Sequence, residues 1–180
     1  MFNTLDLIIR EAKTVGIVSH DAGGANILNA MIKSFPETDF HCLLGGPAIK
    51  IINGRNVQFT ADETVFFDKI DLVLFGTGST SYEKKLLKKA KASSIPTAAF
   101  IDHFVNYRER FVLNGNVSFP DFCFVCDLYS FELAKRELAP YDKIYLCENY
   151  LVSYLCSEIA AMGKSKNNSV LYILENIKYL

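Results

Sequence analysis

The sequence predicts an α/β protein: a doubly wound, mostly parallel sheet with helices on both faces, the Rossmann-like architecture. Three observations carry this. Short apolar runs without polar alternation recur along the chain, as strands buried on both faces do. Segments with helical spacing separate them, so consecutive strands need crossovers and lie parallel, and right-handed crossovers then lead to double winding. Several runs also stop abruptly at glycines or clustered polar residues, where a strand's carboxyl end turns toward a helix.

The elements follow in order. Behind a Thr4 cap, Leu5, Ile8, Ile9 and Ala12 recur at helical spacing and give a short leading helix. A strand over 15–19 is followed by His20-Asp21-Ala22-Gly23-Gly24 and a helix carrying Ala25, Ile27, Leu28, Met31 and Ile32. The unit repeats: a strand over 40–44, Gly45-Gly46-Pro47, a short helix to about Ile52, and a brief strand over 57–59. A β-rich run over 71–75 closes on Gly76-Thr77-Gly78-Ser79, and 82–91 reads as a helix with a lysine-rich, solvated outer face. The strand over 97–101 leads into a long connector over 104–120 with an Asn114-Gly115 turn signal. A strand over 122–126, a helix over 129–138, a strand over 144–147 and a helix over 149–162 complete the α/β domain, residues 1–162. Residues 163–169 are polar and rich in turn formers, as linkers are. Residues 170–180 begin with an apolar strand, Val170-Leu-Tyr-Ile-Leu174, which fits either the opening of a second domain or an added edge strand.

Composition narrows the function. The 180 residues suit one domain of ordinary size, and a hydrophobic share of 50% supports a packed core. A net charge of -1 offers no broad basic field for nucleic acid or an anionic membrane. Asp6, Arg10 and Glu11 interrupt the apolar stretch a signal peptide needs, and no segment has the length of a membrane span, so the expected location is cytoplasmic. The five cysteines are odd in number and lie mostly within apolar patterns, as buried free thiols do. Cys123-Phe-Val-Cys126 has redox or zinc spacing, yet a strand sends the two sulfurs to opposite faces, so neither a metal nor a cofactor is expected.

Three polar clusters stand at predicted strand ends. In the first, Gly23 and Gly24 let the backbone turn tightly into a helix whose free amides can receive an anion, with His20 a general base or a donor to sugar or phosphate. The plainer role is capping, with Asp21 as the acceptor. The G-x-G-x-x-G fingerprint is absent. In the second, Gly76, Thr77, Gly78 and Ser79, with Thr80 and Ser81, supply close backbone approach and hydroxyls beyond what capping needs; no P-loop lysine is present. In the third, Asp102 can orient His103 or accept a proton, while Asn106, Arg108 and Arg110 can bind polar or phosphate groups. Arg108, Glu109 and Arg110 also read as a solvated charge run, and Asp127 as a cap for the following helix.

The order of units, Gly76-Thr77-Gly78-Ser79 opening a helix after a central strand, Asp102-His103-Phe104-Val105-Asn106-Tyr107-Arg108-Glu109-Arg110-Phe111, and the linker leading to a new strand together resemble one family group. The chain resembles the N-terminal, acceptor-side half of glycosyltransferases built from two facing Rossmann-like domains, and of related sugar-nucleotide 2-epimerases. That resemblance implies an acceptor-side domain in bacterial-type surface carbohydrate biosynthesis, with Asp102, His103 and His20 as catalytic candidates and Asp21, Gly23, Gly24, Gly76, Thr77, Gly78, Ser79, Asn106, Arg108 and Arg110 around the ligand. The implied partners are a sugar or nucleotide-sugar and a second, nucleotide-gripping domain or another copy of the chain. The other reading is a non-catalytic Rossmann-like module that binds a nucleotide or phosphosugar. No activated nucleophile is visible for a small hydrolase or isomerase complete in itself.

Overall fold

The structure, a computed structural model, describes residues 4–161. The limit at 162, the linker over 163–169 and the strand expected at 170–174 lie outside the described residues. The chain is an α/β sandwich of Rossmann-like topology. Helix α1 (Thr4–Glu11) precedes β1 (Thr14–Ser19), α2 (Ala22–Ser34), β2 (Asp39–Leu44), α3 (Ala48–Ile51) and β3 (Val57–Phe59). The second half runs through α4 (Glu63–Phe67), β4 (Leu72–Phe75), α5 (Tyr82–Ala92) and β5 (Thr97–Phe100). A 3₁₀ turn (Glu109–Phe111), the small hairpin β6 (Val112–Leu113) and β7 (Asn116–Val117), β8 (Phe122–Val125), α6 (Leu128–Leu138), β9 (Ile144–Leu146) and α7 (Tyr150–Ala161) complete it.

The main sheet has the order β3-β2-β1-β4-β5-β8-β9, every neighbouring pair parallel. The strand runs lack polar alternation because both faces are covered. Along β4, Leu72 and Leu74 pack with α1, α2 and α3, whereas Val73 and Phe75 pack with α4, α5 and α6. A period of two thus serves two apolar layers instead of one.

Winding reverses between β1 and β4, since β1 leads outward to β2 and β3, while β4 leads the other way to β5, β8 and β9. Open α/β sheets form their crevice at such a switch point, beyond the carboxyl ends of the strands. Register brings the ends level: Val18 pairs with Phe75, and Phe75 with Ala99. The loops that leave β1, β4 and β5 therefore emerge side by side.

Helix α4 was not legible as an element. It is short and carries a β-branched pair, and its start is fixed by Asp62, whose carboxylate accepts from the amides of Thr64 and Val65. In the connector, Asn114 and Gly115 both have positive φ, 51° and 79°, which is the two-residue turn that matches a hairpin's twist.

Candidate functional site

The three loops after β1, β4 and β5 share one cavity of about 460 Å³. Its lining comes from Asp21 of the first loop, Thr77, Gly78 and Ser79 of the second, and Asp102, His103, Asn106, Glu109 and Arg110 of the third, with Lys84 from the first turn of α5. Three polar clusters far apart in sequence thus meet at the switch point, in a hollow of the size small ligands occupy.

Arg110 holds two of these loops together. Its guanidinium donates to Asp102 Oδ1 at 2.7 Å and to Thr77 Oγ1 at 2.9 Å, and also bonds the Thr77 carbonyl; its Nε donates to the Val105 carbonyl at 3.3 Å. Thr77 donates its own hydroxyl hydrogen bond to the Phe100 carbonyl at the end of β5. Arginine's planar fork serves four acceptors at once, which an ammonium cannot do. The Asp102 carboxylate also presses on the start of α2, where a Cβ on Gly23 would stand 2.1 Å from Asp102 Oδ2.

Asp21 does the same between the first and second loops. It sits at the N-cap position of α2 with extended backbone, but its side chain makes no cap bond. Instead it accepts from the Ser79 amide at 2.8 Å, from the Ser79 hydroxyl at 3.2 Å and from His20 Nδ1 at 2.7 Å. A carboxylate only accepts, so Nδ1 of His20 carries the hydrogen. Burial works to raise the pKa of Asp21, but the bonds from His20 and Ser79 outweigh it and hold the carboxyl below its ordinary value.

Glu83 lies beneath this network, 4% exposed, and accepts from the His20 amide at 2.8 Å. Burial raises its pKa; bonds from its own amide and from His20 pull back, and the charge of Asp21 adds to the rise. A carboxyl with a folded pKa above its unfolded 4.5 keeps extra protons when folded, so it withdraws stability as pH climbs through that folded value. Glu83→Gln is therefore expected to match the wild type near pH 4 and to be the more stable protein at neutral pH. Urea melts across that range would show it, and a variant weaker at pH 7 would contradict it.

The remaining residues singled out by sequence separate into two groups. Asn106, with φ of 58°, His103 and Ser79 line the cavity. His103 is exposed and its ring lies beside Phe104, centroids 5.9 Å apart. His20, Gly23, Gly24, Gly76 and Arg108 are not among the lining residues. His20 lies over Gly45 and Gly46 and against Tyr82, at 5.6 Å between rings, and faces a separate hollow with Glu63, Thr80 and Lys85. Gly24 and Gly76 are backbone against backbone: a Cβ on Gly24 would meet Gly76 Cα at 2.9 Å. Arg108 turns outward, over the Phe119 ring at 5.9 Å and toward the Ala139 carbonyl at 3.4 Å. Asp127 caps α6 by accepting from the Ser130 amide at 2.7 Å.

In the sequence Lys84 and Glu109 read as solvated charges, although both line the cavity. Nor does the sequence mark the aromatic pair Phe104 and Tyr129, in edge contact at 5.7 Å and exposed by 53% and 68% on the same rim. Apolar exposure on that scale, next to a polar cavity, is the one signal that marks them.

No protein-family model matches the sequence, and no curated protein matches it. Among solved structures, the chain is similar to a UDP-N-acetylglucosamine 2-epimerase from Rickettsia bellii, with a TM-score of 0.57 and 15% identity. The likeness covers 85% of this chain and 49% of that one, so the chain spans about half the length of the structure it matches. The fold is Rossmann-like in both. At this identity the likeness carries the fold alone. No helix among the described residues is long and apolar enough to cross a membrane.

Proposed function

We propose that this chain is a sugar-nucleotide-related Rossmann-like domain whose switch-point cavity holds the sugar, on the acceptor side of a glycosyltransferase-like enzyme. The observation that carries the reading is the cavity's charge. Three carboxylates, Asp21, Asp102 and Glu109, face two cations, Lys84 and Arg110, and Arg110 is already spent on Asp102. The Ser79 amide, an obvious phosphate donor at the start of α5, is likewise taken by Asp21. Such a wall repels a diphosphate and suits neutral hydroxyls, which both donate to carboxylates and accept from ammonium and amide groups. The nucleotide would then be gripped by a second half, in keeping with the epimerase being about twice as long.

Within this reading, His103 is the group that moves a proton, because it is the exposed ring at the cavity with no hydrogen-bonding partner among the described residues. Asp102, fixed 2.7 Å from Arg110, orients the sugar. Surface-carbohydrate assembly as the setting rests on the sequence resemblance. The Asp102–Arg110 pair also favours a second reading, a non-catalytic sugar-binding module, since a carboxylate locked in an ion pair is a weak base.

The test is calorimetric titration of N-acetylglucosamine, UDP and UDP-N-acetylglucosamine into wild type and the double variant D102N/H103A. The sugar should bind without the nucleotide, and the variant should weaken it by at least about tenfold, some 1.4 kcal/mol. Binding of UDP alone, untouched by the substitutions, would overturn the proposal. A transfer assay with a nucleotide-gripping half supplied separates the readings: H103A alone abolishes turnover in the first and changes nothing but affinity in the second.

A further inference from the structure

Two of the five cysteines come together although they are far apart in sequence. Cys126 follows the last residue of β8 and Cys147 the last residue of β9. Register pairs Val125 with Leu146, so the next opposed pair is Cys126 with Cys147, and the Cys147 amide donates to the Val125 carbonyl at 3.0 Å. The two sulfurs are 3.9 Å apart. Neighbouring strands lie about 4.8 Å apart, inside the Cα separation of about 4.4–6.8 Å that disulfides span.

Cys126 differs from the core thiols in access. Cys42 and Cys123 are sealed in the core, and burial pushes each thiol up to about 12, which leaves them inert. Cys126 is partly exposed at the sheet edge, while Cys147 lies just beneath it, 9% exposed. The hydrogen bond with Cys147 holds the Cys126 thiol below its ordinary value, against burial and the charge of Asp127. One accessible sulfur that ionises first, backed by a buried partner in contact, is the arrangement of an attacking and a resolving thiol.

We propose that Cys126 and Cys147 form an oxidation-sensitive dithiol that a peroxide converts to a disulfide joining the carboxyl ends of β8 and β9. The Cys126 thiolate attacks a peroxide oxygen; the O–O bond breaks, one oxygen leaves as hydroxide and takes a proton to become water, and a sulfenic acid remains. The Cys147 sulfur then attacks the Cys126 sulfur. The S–S bond forms as the S–O bond breaks, and the hydroxyl departs with the Cys147 proton as a second water. The link ties the loop before α6, whose first turn presents Leu128 and Tyr129 at 70% and 68% exposure, to the loop before α7. Oxidation would thereby stiffen the rim beside the sugar cavity, though the proposal stands whether or not that cavity binds sugar.

The experiment treats the reduced full-length chain with hydrogen peroxide, blocks free thiols with N-ethylmaleimide and reads intact mass and peptides. The expected product, before blocking, is a monomer lighter by about 2 Da, with Cys126 joined to Cys147 and the change reversed by dithiothreitol. C126S should slow the loss of the Cys147 thiol at least about tenfold. Cys42 and Cys123 should react only after denaturation, and Cys156, exposed on α7, reports random linking between chains. Accumulation of a Cys126 sulfinic acid with Cys147 still free, or disulfides through Cys156 alone, would overturn the proposal. The wild-type peptide map decides this even if a variant folds poorly.

Discussion

Arg110→Ala should cost about 3–5 kcal/mol of stability, the usual loss when one partner of a largely buried ion pair is removed and the other stays behind uncompensated. The side chains of Arg110 and Asp102 are only 11% and 19% exposed, so water reaching Asp102 through the cavity offsets the lost guanidinium only in part. The same substitution strips donors from Thr77 and from the Val105 carbonyl, which releases the third loop from the second. Arg110→Lys should recover only part of the loss, since one ammonium cannot reach all these acceptors. Removing both charges in R110A/D102A should be milder than R110A alone, and the coupling energy of that double-mutant cycle measures the pair. Equal melts for R110A and wild type would mean the pair is solvated and does not hold the loops.

Gly24→Ala should destabilise by about 2 kcal/mol, although alanine is the better helix former by about 1 kcal/mol. Which term wins is set by what the added methyl meets. At Gly24 it meets Gly76 Cα at 2.9 Å and Thr77 N at 3.4 Å, both backbone, so α2 and the second loop must separate. Overpacking of that kind costs about 1–3 kcal/mol before any gain in propensity. Gly23→Ala makes a useful contrast. Its methyl meets only the end of a side chain, Asp102 Oδ2 and Cγ, so the fold should survive if Oδ2 turns aside while Oδ1 keeps its bond to Arg110. Urea melts should place G24A well below G23A, and sugar titration should find G23A the impaired binder. The reverse order would show that the two glycines have been assigned the wrong neighbours.

The sheet was legible because each strand is a short apolar run that ends where the polar residues begin, and both facts follow from burial on two faces. The convergence of the loops at 21, 77–79 and 102–110 was legible for the same reason: strand ends mark an edge, and parallel strands share one. What the sequence hides is direction. Arg108 and Arg110 are the same residue type two positions apart, yet the turn that follows the positive φ of Asn106 sends one outward over Phe119 and the other inward to Asp102. His20 reads as a candidate base at the first loop, and only the fold shows that its ring packs against Gly45, Gly46 and Tyr82, all distant in sequence, and faces a different hollow. Lys84 belongs to a helix face whose lysines are otherwise solvated, and only the position of the first turn of α5 beside the cavity separates it from them. Cys126 has Cys123 three residues away in sequence but on the other face; its partner is Cys147, which strand register alone reveals.

The switch-point cavity is where the sugar is expected to bind. Amide chemical shifts, followed while N-acetylglucosamine is titrated into the labelled chain, test this directly. The changes should concentrate at Thr77, Gly78, Ser79, His103, Asn106 and Arg110, which line that cavity. Changes confined to the hollow lined by Lys91, Ser94, Pro96, Asp121 and Lys143, or no change at millimolar ligand, would contradict it.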